Sequence, residues 1–142
     1  MSSLPSGLED IPSDGEPLAR FVTSSGWVAK STGRVKHQAF LPAPDDDTSV
    51  YRVDGMSQAE IWTHAEKHFV DGTGQPHPHH GAAISAASVV RQAGIGVIAH
   101  EPPPKHANLR GWPKHDDPEL QKSKRKEIAT RIADAASFLA KT

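Results

Sequence analysis

The sequence predicts an α+β domain: a small antiparallel or mixed sheet with two central helices and a C-terminal helix. Three observations predict it. Short runs rich in β-branched and aromatic residues crowd into the first part of the chain. Apolar residues at helical spacing dominate the later part. Links are short and carry Gly or Pro, so strands and helices are segregated rather than alternating, which favours α+β.

The elements follow in order. Residues 1–17 are rich in Ser, Pro, Gly and acid, so they are expected to be a mobile tail, with a single domain over 18–142. A first strand is expected over 19–25 and ends at Gly26; residues 30–33 read as a turn. Residues 34–41 alternate weakly and stop at Pro42 and Pro44, and Asp45, Asp46 and Asp47 mark an exposed turn. Val50, Tyr51 and Val53 make 48–54 the clearest strand, expected to form a hairpin with 34–41. Ser57 and Glu60 have capping-box spacing, and Ile61, Trp62, Ala65 and Phe69 recur behind them, which predicts a helix over 58–70. The histidine-rich loop Pro76-His77-Pro78-His79-His80 excludes helix and central strand. A second helix is expected over 82–92, stopped by Gly94, then a buried strand over 95–99. Residues 106–113 read as an ordered loop or short strand. Asp117 and Pro118 open the last helix, whose stripe is Ile128, Ile132, Ala135 and Leu139. The stripe fails at Lys124, so the first two turns are expected to project.

Composition bounds the function. The 142 residues fit one domain, and the absence of cysteine excludes disulfides, thiolate metal sites and a cysteine nucleophile. It also suits a reducing compartment, so a cytoplasmic protein is expected. The N-terminus lacks the basic and apolar regions of a signal peptide, and no apolar run approaches the roughly twenty residues of a spanning helix. No membrane partner is expected. There is no Gly-rich phosphate loop, no G-x-S-x-G elbow, and no signature of the common nucleic-acid-binding motifs. Net charge is −1, yet residues 20–43 carry four cations and no acid, and residues 105–126 carry seven cations against three acids. Two such segments can attract phosphates or nucleic acid.

Two constellations are candidates for chemistry. His64 and His68 sit at i and i+4, on one side of the first helix, and are weak metal-ligand candidates. Their HAEKH context is not the HExxH of metalloproteases, the loop histidines are loosely spaced, and no metal site is assigned. The second set is Lys36, His37, Arg52, His106, Asn108 and Arg110, a site for a phosphate- or carboxylate-bearing ligand if the fold brings them together. Two functions stay open. One is a binding or accessory module with a basic anion-binding surface, for a phosphate-bearing ligand or nucleic acid, and with a protein partner at the C-terminal helix. The other is a small enzyme acting on a nucleotide or RNA end, with His37 or His106 as general acid/base and Arg52 and Arg110 as anion clamps.

The blocks GRVKHQAFLP, SVYRVDGMSQAEIW and HANLRGWP, in this order, resemble a family of small uncharacterised bacterial proteins over about residues 20–113. The resemblance implies a bacterial protein and puts Lys36, His37, Arg52, His106, Asn108 and Arg110 inside motif blocks. It supplies no activity, and the histidine-rich loop falls outside it.

Overall fold

The computed structural model describes residues 3–141. Six strands, β1 (Pro17–Phe21), β2 (Thr48–Arg52), β3 (Gly81–Ala86), β4 (Gly96–Ala99), β5 (His106–Arg110) and β6 (Ser137–Ala140), form one antiparallel sheet in the order β4-β5-β2-β1-β3-β6. Three helices, α1 (Gln58–His68), α2 (Ala87–Gln92) and α3 (Pro118–Ala135), complete an α+β fold. Side chains alternate along each strand, so each strand feeds two cores. Leu18, Val50, Ala83, Val97, Ala107 and Leu109 face α2 and α3, where Val90, Ala129 and Ile132 close the larger core. Ala19, Phe21, Tyr51, Val53 and Ala82 face α1, which contributes Ile61 and Ala65. No helix among the described residues is long and apolar enough to cross a membrane.

Local signals set the helix starts. Ser57 accepts from the Glu60 amide at 3.1 Å while the Glu60 carboxylate accepts from the Ser57 amide at 2.9 Å, a closed capping box. Asp117 caps α3 by accepting from the Glu119 amide, with Pro118 next in line. The first turns of α3 stand largely exposed, tethered by the Arg125 Nε bond to the Pro113 carbonyl.

Three expectations are corrected. Residues 34–41 are not a strand and form no hairpin with 48–54. Both edges of β2 are occupied, by β1 and β5, so this segment folds into a 3-10 turn, His37–Ala39, that buries Ala39 and Phe40 toward α3. Residues 82–92 are not one helix. The first half is β3, held between β1 and β6, and only Ala87–Gln92 turns helical. Gly81 allows this: its φ is +145°, and a Cβ there would collide with the Leu139 carbonyl oxygen. The last helix stops at Ala135, and residues 137–140 pair with β3, so Leu139 packs on the α1 side instead of continuing the Ile128–Ile132 stripe. Of the two alternatives for 106–113, the strand holds over residues 106–110, as β5.

The segment expected to be a mobile tail makes specific contacts from residue 3 onward. Pro12 is fully buried, Glu16 is 6% exposed, and the Ala87 and Ser88 amides donate to the Glu16 and Asp14 carbonyls. Arg91 holds the Asp14 carboxylate at 2.6 Å, and the Ser6 amide donates to Glu101 at 3.0 Å.

Candidate functional site

The register of β2 on β5 builds the site. Ser49 lies opposite Asn108 and Tyr51 opposite His106, so all four side chains share the α1 face of the sheet. Beside α1 a cavity of about 290 Å³ remains, lined by Arg20, Ser49, His100, His106 and Asn108 and by two carboxylates, Asp45 and Asp47.

His106 is fixed at both ring nitrogens. Nε2 lies 2.6 Å from the Ser49 hydroxyl, and Nδ1 lies 2.9 Å from the His100 carbonyl oxygen and 3.2 Å from His100 Nδ1. A carbonyl only accepts, so Nδ1 carries the proton and Nε2 accepts from the Ser49 hydroxyl. Tyr51 packs edge-on against the ring at 5.3 Å and fixes its plane. Burial lowers the His106 pKa from its ordinary value, with the bond to the His100 backbone opposing the shift, so the ring is neutral at pH 7.

Arg20 enters where a ladder ends. β1 and β2 are in register at Leu18–Arg52 and Ala19–Tyr51 only. Beyond that point Arg20 Nε donates to the Ala39 carbonyl at 2.9 Å and Nη1 to the Ser49 carbonyl at 3.1 Å, standing in for strand–strand bonds. Burial pushes its pKa down to about 10, still well above neutral, so it stays charged. It has no carboxylate partner among the described residues. Asn108 is only 6% exposed, and its side-chain amide makes no hydrogen bond to the described residues. Asp47 is gripped by Arg110 through two bonds of 2.9 Å, which hold its carboxyl below the usual range.

The structure therefore divides the six residues expected to share one anion site. His106 and Asn108 line the cavity, and Arg110 stands next to it, committed to Asp47. Arg52 lies on the opposite face, 3% exposed, its Nε 2.7 Å and Nη2 3.1 Å from the two Glu16 oxygens and its Nη1 2.8 Å from the Glu9 carbonyl. With every edge of its guanidinium occupied by protein, it is no clamp for a ligand. Lys36 and His37 line a separate open groove of about 450 Å³ beside α3, with Arg34 paired to Asp134. His64 and His68 stack at 4.6 Å on α1; burial, and then the neighbouring His68, push His64 down to about 4. No group of three or more His, Cys, Asp or Glu among the described residues is arranged to hold a metal ion.

Sequence reading missed Ser49, Arg20 and His100. Ser49 and Tyr51 alternate with Thr48 and Val50, which fixes their shared face, but only the long-range pairing with β5 shows what they meet. No family model, curated protein or solved structure matches the chain.

Proposed function

We propose that the chain is a binding module whose ligand is a small phosphate- or carboxylate-bearing molecule seated in the His106 cavity. The observation that carries this reading is Asn108. Its side-chain amide makes no hydrogen bond to the described residues and opens onto the cavity beside a guanidinium that no carboxylate among them neutralises. A ligand oxygen between them satisfies both groups, with a charge-assisted bond from each and an ion pair to Arg20 in addition. The cavity, about 290 Å³, admits a small molecule or one terminal group of a larger one. Of the two lining carboxylates, Asp47 is held by Arg110 in two bonds, and Asp45 is solvent-exposed and accepts from the Asp47 amide, which lessens their repulsion of such a ligand. The lack of cysteine fits a cytoplasmic setting.

The test is an NMR titration of the isotope-labelled protein with inorganic phosphate and with acetate, at low and high salt. The Asn108 side-chain amide and the Arg20 Nε resonance are expected to shift, and binding to weaken with salt. Asn108→Ala is expected to weaken it about tenfold, the equivalent of one hydrogen bond to a charged group. Absence of any shift at Asn108 with both anions removes the reading.

A further inference from the structure

We propose that Ser49 is a nucleophile activated by His106, and that the cavity hydrolyses small carboxylic esters. The proposal rests on the preceding reading only for Arg20 and Asn108, which here receive the oxyanion of the ester. The nucleophile stands on its own geometry.

Three features separate this pair from a serine and a histidine that merely satisfy each other inside a sheet. First, the Ser49 hydroxyl lines an open cavity and sits 2.6 Å from an imidazole nitrogen. Second, that nitrogen is the unprotonated one, because the other is bound to the His100 carbonyl at 2.9 Å. A base must present a lone pair to the hydroxyl, and this tautomer does. Third, two further donors line the same cavity. The Asn108 amide is unpartnered, and Arg20 is tied to the Ser49 carbonyl while reaching the same cavity. Nucleophile, base, orienting acceptor and oxyanion donors thus converge from β1, β2, β5 and the turn at His100, which is the arrangement acyl transfer requires.

The step balances as follows. Ser49 Oγ attacks the ester carbonyl carbon as its proton passes to His106 Nε2. The carbonyl π electrons move to oxygen, which Arg20 and Asn108 stabilise. Collapse breaks the bond to the alcohol oxygen, and the alcohol leaves with the proton from His106. A water then attacks acyl-Ser49, giving its proton to His106 and restoring the serine as the acid departs. One ester and one water become one acid and one alcohol. His100 is a positioning residue here, acting through its carbonyl on the His106 tautomer. The nearby Asp47 carboxylate favours the imidazolium that forms transiently.

The experiment uses the full chain and a fluorophosphonate probe, read by intact mass and peptide mapping, beside hydrolysis of p-nitrophenyl acetate and p-nitrophenyl hemisuccinate. One adduct at Ser49 is expected, absent in Ser49→Ala and slowed by at least about 100-fold in His106→Gln. Circular dichroism of both variants checks that they fold. Labelling should be flat at neutral to alkaline pH and fall on acidification below the ordinary histidine value of 6.5 as His106 protonates. The hemisuccinate ester should turn over no faster than the acetate, because its carboxylate competes with the oxyanion for Arg20 and Asn108. No adduct in the wild type, an adduct elsewhere, or labelling unchanged in folded Ser49→Ala overturns the proposal. Labelling at Ser49 in a protein that binds neither phosphate nor acetate keeps the nucleophile and removes the anion reading; phosphate binding without labelling does the reverse.

Discussion

The two faces of β2 treat polar side chains in opposite ways. Toward α2 and α3 the strand sends Thr48 and Arg52, and both are fully engaged: Thr48 Oγ1 donates to the Phe40 carbonyl at 2.9 Å, and Arg52 is saturated by Glu16 and the Glu9 carbonyl. Toward α1 it sends Tyr51, whose hydroxyl donates to the His68 carbonyl at 3.3 Å, and Ser49, whose neighbour Asn108 opens onto a cavity with hydrogen-bonding capacity to spare. The residue types on the two faces are equally polar. What distinguishes structure from site is whether the protein completes each group's partners. Arg52 illustrates the point: by sequence it is a promising anion clamp, and its anion turns out to be the protein's own Glu16.

The largest effect should come from breaking the completed face. Glu16→Ala leaves a buried guanidinium without its carboxylate, and is expected to cost about 3–5 kcal/mol in urea unfolding. Removing residues 1–16 should do at least as much; a truncated chain as stable as the full one would restore the picture of a passive tail.

A smaller effect concerns acid, and it belongs to the α1 face. His64 is held at about 4 against an ordinary 6.5, so the folded state binds its proton less readily than the unfolded state. For a depressed pKa the stability is present above 6.5 and is lost as pH falls through about 4. His64 is only half-buried, so solvent screening keeps its share of that loss below what the full shift would imply. Unfolding curves between neutral pH and pH 4 should show the decline, and His64→Leu should flatten it.

The smallest effect is a contrast. Thr48→Val strands the Phe40 carbonyl and is expected to cost about 1–2 kcal/mol, whereas Asn108→Leu breaks no hydrogen bond to the described residues and should cost less than about 1 kcal/mol. Equal costs from thermal melts of the two variants would dissolve the distinction between the faces.

What the sequence disclosed was local. The capping box at Ser57, the Asp117–Pro118 start and the β-branched run of β2 each depend on neighbours in the chain, and each forms near its expected place. Residues 82–92 misled because Ala and Ser suit both periods; the decision between them is made by β1 and β6, distant in sequence. Leu139 misled similarly, fitting a helical stripe that ends before it. His106 and Asn108 were recognisable as chemistry-bearing residues. Their partner Ser49 was not, because it lies 57 positions away and only the strand register introduces it. The acidic N-terminal segment hid its role because Glu16 looks like any solvated carboxylate until Arg52 is placed beneath it.

The pairing of β2 with β5 carries one more consequence. The two strands belong to separate halves of the chain, divided by the exposed stretch 71–78. β1 and β2 lie on one side of that divide, β3 to β6 on the other, and the His106 cavity runs along the seam that stitches them together. The seam closes late, since long-range strand pairing has a high entropic barrier compared with the local β4–β5 hairpin. Neither half holds a competent cavity alone: one has the hydroxyl and the guanidinium, the other the imidazoles and the amide. The cavity, and with it any chemistry proposed there, therefore exists only once β2 and β5 have paired.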